Sequence, residues 1–103
     1  MDKLLNFLGL CRRAGKLTTG NDAVLETVRN GESRAVIIAR DISHNTEKKL
    51  LKTCEEYNVK LIKIDRTKEE LSLAVGRFAA VASVTDKGFA RNIEKLSIGG
   101  NSI

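Results

Sequence analysis

The run Ala35-Val36-Ile37-Ile38-Ala39 decides the fold. It is continuously apolar and rich in β-branched residues, with no polar side to turn toward water, so it predicts a short central strand covered on both faces. On its N-terminal side lies Thr18-Thr19-Gly20-Asn21-Asp22-Ala23-Val24-Leu25-Glu26-Thr27-Val28-Arg29-Asn30-Gly31. This reads as the end of a short strand (16–18) that turns through Gly20 into a helix closing at Gly31. Val24, Leu25 and Val28 face inward, which leaves Asp22, Glu26 and Arg29 on the exposed side. Thr19 followed by Asp22 has the spacing of a capping box. Such a helix start points N–H groups outward and favours anions, phosphate included. The same residues also fit a plain cap and turn, and both readings stand at this level.

On the C-terminal side Arg40-Asp41-Ile42-Ser43 reads as a loop. Ser43 is placed to cap a helix that carries Leu50, Leu51, Cys54 and Tyr57 inward and closes near Asn58, with Glu47, Lys48 and Lys49 on a solvated face. Further out, Leu4, Phe7, Leu8 and Cys11 recur at helical spacing before Ala14-Gly15. Residues 59–64 form a second β-rich run. Thr67-Lys68-Glu69-Glu70 is a capping box ahead of Leu71, Ala74 and Val75, in a helix stopping at Gly76. Residues 81–84 are a third β-rich run, and Asp86 caps a last helix with Phe89, Ile93 and Leu96 on one side. Residues 97–103, with Gly99-Gly100, read as a flexible tail.

Strands alternating with helices imply an α/β fold: a three-layer α/β/α sandwich with a four-stranded, mostly parallel or mixed sheet. Ligands of such folds sit where strands hand over to helices. Three handovers matter, at Gly20-Asn21-Asp22, Arg40-Asp41-Ile42-Ser43 and Gly76-Arg77-Phe78-Ala79-Ala80.

The 103 residues suit one domain spanning 1–103. No apolar run is long enough to cross a bilayer and no secretory leader pattern opens the chain, so the expectation is a cytoplasmic protein without a membrane partner. Cys11 and Cys54 fall on apolar helix stripes and lack the spacing of a metal or redox site, so they read as core residues. No metal and no cofactor are expected. Eighteen Lys and Arg against 13 Asp and Glu give a formal charge of +5, which suits a polyanionic partner. Only 4% of the residues are aromatic, which argues against stacking single-stranded bases on aromatic platforms and favours folded RNA. Catalysis finds little support. The single histidine, His44, stands beside Asp41 and Ser43, but residues adjacent in sequence rarely face one another as a triad requires. No Walker or Rossmann glycine pattern occurs.

The segment Leu8-Gly9-Leu10-Cys11-Arg12-Arg13-Ala14-Gly15-Lys16-Leu17-Thr18-Thr19-Gly20 resembles the opening of bacterial YlxQ-type members of the kink-turn-binding ribosomal protein family. Asp41-Ile42-Ser43-His44-Asn45-Thr46, Leu71-Ser72-Leu73-Ala74-Val75-Gly76 and Thr85-Asp86-Lys87-Gly88-Phe89-Ala90 are similar to the same group, in the same order. The resemblance implies a domain without catalytic activity that recognises RNA kink-turns and is associated with ribosomes or ribosome assembly. A monomer is expected.

In the family the turn reads approximately Gly-x-Asn-Glu-x-x-Lys, with a further Gly five residues on. Carried over, Gly20 and Gly31 match, while Asp22 stands where Asn is usual, Ala23 where Glu is usual and Glu26 where Lys is usual. Ionised acids cannot donate to guanine O6 or N7, and Glu26 would repel phosphate. A shift by one residue sets Asn21-Asp22 against Asn-Glu but spoils the glycine spacing. Within the first register, Asn21 is the expected base contact, and Lys16, Arg40 and Arg77 the expected phosphate contacts. Gly76, Arg77, Phe78 and Ala79 correspond to the family's apolar loop, with Phe78 equally readable as core. A protein-interaction module on the same fold is the alternative, because this turn has lost cationic character.

Overall fold

A computed structural model describes residues 2–99. In chain order the elements are α1 (Lys3–Arg13), β1 (Leu17–Thr19), α2 (Asn21–Arg29), β2 (Ala35–Ile38), α3 (His44–Glu56), β3 (Leu61–Lys63), α4 (Lys68–Val75), β4 (Val81–Val84) and α5 (Lys87–Gly99). The Asp2 side chain caps α1 by accepting from Leu5 N–H, Ser43 caps α3 through Thr46 N–H, and Thr67 and Glu70 close the expected capping box on α4. Asp86 accepts from Phe89 N–H at 2.9 Å at the start of α5.

The strands form one sheet in the order β1-β4-β2-β3. The sheet is mixed. Only β2 and β3 pair parallel, with Ile37 opposite Ile62, whereas β4 runs antiparallel to both β1 and β2, with Ala82 opposite Thr19 and Ile37. A predominantly parallel sheet is thereby excluded, for a physical reason. An alternating pattern fixes the sequence of elements but not the end of the sheet to which each helix returns the chain. The segment holding α4 leaves β3 and enters β4 at the same end, so the last strand is reversed.

Strand alternation sends Ile37 to one side of the sheet and Val36 and Ile38 to the other. Ile37 packs in a core with Leu4, Leu8 and Cys11 of α1, Leu71 and Val75 of α4 and Ile93 of α5. Val36 and Ile38 pack with Val24, Leu25 and Val28 of α2 and Leu50 and Cys54 of α3. These are the outer two layers of an α/β/α sandwich. α1 and α4 come so close that a Cβ on Gly9 would lie 2.7 Å from the Ala74 carbonyl oxygen, which explains glycine in the middle of that helix. Burial pushes both thiols, Cys11 and Cys54, up to about 11, as inert core residues require.

Some expectations need correction. Leu51 and Tyr57 are 42% and 44% exposed rather than inward. The buried stripe of α3 is Leu50, Thr53 and Cys54, and Tyr57 already sits at the C-cap where the helix has ended. Ser97 lies within α5, its hydroxyl donating to the Glu94 carbonyl at 2.8 Å, so the tail does not begin at 97. Residues 100–103 lie outside the described residues. Nothing in the strand pattern predicted a buried polar series: the hydroxyls of Thr27, Ser83 and Ser33 stand 2.8 and 2.7 Å apart, and Ser33 reaches the Ala35 carbonyl at 3.3 Å. It ties α2 to β4 and to the start of β2, and satisfies groups that would otherwise be costly to bury.

Candidate nucleic-acid interface

Because β1, β2 and β3 run one way and β4 the other, the C-terminal ends of the first three and the N-terminal end of β4 share one rim. The backbone knits this rim together. Gly20 N–H donates to the Val81 carbonyl at 3.4 Å, Ala39 N–H to Ala80 at 2.9 Å, and Arg40 N–H to Arg66 at 2.9 Å. All three handovers singled out in the sequence therefore meet here.

The expected capping box at α2 is absent. Thr19 is the last residue of β1, paired with Ala82, and Gly20 takes the N-cap position at φ 98° and ψ 142°, with no side chain capping the helix. A side chain is strained at that φ, so glycine is required. The consequence is physical: α1, α3, α4 and α5 each have a side-chain acceptor at the N-terminus, whereas the first N–H groups of α2 have none. Those donors are left for water or an anion.

Asn21 and Asp22 are exposed on the first turn, and a groove of about 210 Å³ runs from them past Leu25 to Asn45, Thr46 and Lys49 of α3. The three α3 residues were missed in the sequence, where Lys49 read only as a solvated face; their signal is that Ser43 starts α3 on the same rim. On the outer side of α2, Asp22 and Glu26 join Arg29 and Asn30 around an open concavity of about 440 Å³. Two acids against one arginine make this face locally acidic, as the sequence suggested.

Arg40 is at the rim, but its Nη1 donates to Asp65 Oδ1 at 2.9 Å, and this bond and the neighbouring carboxylate raise its pKa further. Asp41 Oδ1 accepts from Lys68 N–H at 2.7 Å, so Asp41 and Ser43, the neighbours of His44, both serve helix starts. The 76–80 loop leaves α4 through Gly76 at φ 75° and is clamped by Ser72, whose Oγ accepts from Ala79 N–H at 2.9 Å. Ala79 is buried, which corrects its place as a surface contact, since its methyl group belongs to the core. Phe78 settles the other way: it is 78% exposed, not core. Arg77 is exposed beside it. Arg12 of α1, not singled out in the sequence, brings its guanidinium within 3.4 Å of where a Gly76 Cβ would stand, and so adds a cation to this loop.

Lys16 is not brought to the rim. It precedes β1, where its carbonyl accepts from Thr85 N–H at 3.0 Å, at the opposite end of the sheet from Gly20. A strand of three residues spans roughly 10 Å, so Lys16 faces a different end of the molecule.

Comparison with known proteins agrees with this architecture. The chain is 37% identical over 90 residues to RNA-binding protein YlxQ of Bacillus subtilis, covering 86% of this chain and 89% of that protein. It is 33% identical over 94 residues to RNA-binding protein YlxQ of Enterococcus faecium, covering 91% and 90% of the two chains. A solved structure of a Bacillus halodurans C protein with unknown function superposes with a TM-score of 0.88 at 35% identity, covering 93% of this chain and 97% of that one. The Giardia lamblia 15.5kD RNA binding protein superposes with a TM-score of 0.74 at 24% identity, over 97% and 88%, a likeness of fold. The ribosomal protein L7Ae/L30e/S12e/Gadd45 family matches over residues 2–94, and this chain belongs to it.

Proposed function

We propose that the chain is a non-catalytic RNA-binding protein that recognises a kink-turn or similarly folded RNA through the rim formed by Gly20, Asn21, Asp22, Arg40, Gly76, Arg77 and Phe78. It works as a cytoplasmic monomer associated with the ribosome or translation. The observation that carries this reading is the uncapped start of α2 sharing a rim with the solvent-exposed Phe78. A kink-turn offers folded phosphate backbone, exposed guanine edges and an extruded base. The uncapped N–H groups of the first turn of α2, from Asn21 onward, suit the first, the Asn21 side chain the second and Phe78 the third. Membership of a ribosomal-protein family and two relatives named as RNA-binding proteins support the same reading.

The test is direct titration of a kink-turn RNA against a straight duplex of equal length at two salt concentrations. Preference for the kink-turn, with affinity falling as salt rises, is the expected result. Asn21→Ala then harms kink-turn binding selectively, whereas Arg77→Ala weakens both RNAs alike, because phosphate contacts position without specifying. Equal affinity for both RNAs, unaffected by Asn21→Ala, instead supports the protein-interaction module, which the acidic pair Asp22 and Glu26 would suit.

A further inference from the structure

A separate cluster of positive charge lies away from the rim just described. At the other end of the sheet, where β2 and β3 begin and β4 ends, a groove of about 330 Å³ is lined by Arg34, Lys60, Lys87, Arg91 and Glu94. Ala35 and Ala90 floor it with small side chains. Arg34 enters β2, its N–H donating to the Val84 carbonyl at 2.7 Å, and Lys60 precedes β3, its carbonyl accepting from Val36 N–H at 2.9 Å. Lys87 opens α5 and Arg91 follows one turn later on the same face. The groove therefore draws its cations from three separate parts of the chain.

Its electrostatics are unbalanced. Lys60 Nζ lies 2.9 Å from Glu94 Oε1, which neutralises the one carboxylate lining the groove. Among the described residues no carboxylate pairs with Arg34, Lys87 or Arg91. Lys16 stands at this same end, across β4, through the bond from Thr85 N–H to its carbonyl. By contrast, the face of α2 holds Asp22 and Glu26 against Arg29, and Arg40 is already paired with Asp65. The outer face of α2 is thus locally acidic where this groove is locally basic.

We infer that the Arg34–Lys87–Arg91 groove is a second RNA contact, holding the phosphate backbone of a duplex segment separate from the one at the α2 rim. An open, shallow groove with several unpaired cations, a small-residue floor and no aromatic residue suits sequence-independent phosphate contact rather than base readout. The strands between the two ends are only three or four residues long, so one molecule holds two RNA segments at opposite ends of a short sheet. This inference rests on the RNA-binding reading for its choice of polyanion, but it concerns different residues.

The experiment uses the full chain and a labelled straight RNA duplex lacking any kink-turn, titrated over a range of salt. Lys87→Gln/Arg91→Gln is compared with Lys48→Gln/Lys52→Gln, which removes the same charge from exposed positions on α3. The expected result is that the groove pair makes the log–log salt slope shallower by about two, roughly one unit for each lost phosphate contact, while the α3 pair changes it far less. Asn21→Ala, at the α2 rim, leaves the affinity and the salt slope for the straight duplex unchanged. Equal effects of the two pairs on the slope overturn the inference. Arg34→Gln alone, outside α5, gives a slope change near one and keeps the test valid if the double variant unfolds. Failure of kink-turn RNA to bind at all counts against the α2 rim and leaves the slope comparison intact.

Discussion

Arg40 and Asp65 face each other across the ends of β2 and β3, Nη1 to Oδ1 at 2.9 Å, with both side chains largely exposed. The pair holds the cation best placed beside the α2 rim in a bond that an incoming phosphate must share or break. Its contribution to the fold is small, because exposed ion pairs give about 0.2–1 kcal/mol and are screened by salt.

Asp65→Asn should therefore leave thermal stability nearly unchanged and strengthen binding of kink-turn RNA several-fold at low salt. The gain should disappear when Arg40→Ala is added. Titration of the two single variants and the double variant measures the coupling directly. A gain that survives loss of Arg40 would assign the effect to general charge.

Phe78 offers a separate check on the rim. At 78% exposure it has little packing to lose, so Phe78→Ala should change unfolding free energy by about 0.5 kcal/mol or less. A core phenylalanine would cost about 3–5 kcal/mol. If its ring stacks on an extruded base, the same change weakens kink-turn binding by roughly 1–3 kcal/mol. Urea unfolding and RNA titration on one preparation measure both.

The two central features, the apolar 35–39 strand and the helix starts at Ser43, Thr67 and Asp86, were legible because each depends on local chemistry: β-branched runs, and oxygen-bearing side chains three residues before a free N–H. The position of Phe78 was not, because an aromatic in a short loop has the same local pattern whether the loop folds inward or outward. That choice is made by Ser72, which clamps Ala79 and not its neighbour. Lys16 was misplaced for a related reason. Nearness in sequence to Gly20 conceals that an extended strand separates them, whereas Arg40, Arg77 and Asn21, far apart in sequence, are joined by the direction of β4. The absent capping box at Thr19 shows the limit of spacing rules, since pairing of Thr19 with Ala82 takes precedence over capping.

The N-terminal end of α1 predicts a pH dependence. Asp2 accepts from Leu5 N–H at 2.9 Å and from Arg66 Nε at 2.6 Å. Partial burial alone would raise its pKa, but the Leu5 N–H bond and the Arg66 guanidinium together outweigh it and hold the carboxyl below its ordinary value of 3.8. A depressed carboxyl contributes stability that is complete above 3.8 and is lost as pH falls through its lower folded value. Asp2→Asn keeps a competent cap but removes the charge. The variant should be less stable at pH 7 by about 0.2–1 kcal/mol, the range for an exposed pair. The difference should close in increasingly acid buffer below pH 3.8, as measured by urea unfolding. A gap that is constant with pH would mean the carboxylate charge plays no part.

Glu26 carries the sharpest prediction about specificity. It lies on the exposed side of α2 one turn beyond Asp22, and the two acids join Arg29 and Asn30 around the same concavity. This is where the resemblance to the kink-turn binders puts a lysine against guanine edges. An ionised glutamate cannot donate to guanine O6 or N7 and repels the phosphates that the uncapped helix start attracts. Glu26→Lys should remove the repulsion and supply a donor, strengthening kink-turn binding by roughly 1–3 kcal/mol, the range for one good base contact. The fold should tolerate it, because exposed substitutions usually change stability by about 0.5 kcal/mol or less. Glu69→Lys, on the exposed first turn of α4 at the same end of the sheet, adds the same charge near the rim but on a different helix. A gain specific to Glu26→Lys and to kink-turn RNA confirms the glycine-to-glycine register from Gly20 to Gly31. Equal gains from both variants would mean that the RNA senses only the charge of this end of the molecule, and no gain from Glu26→Lys would move the base contact off that face of α2.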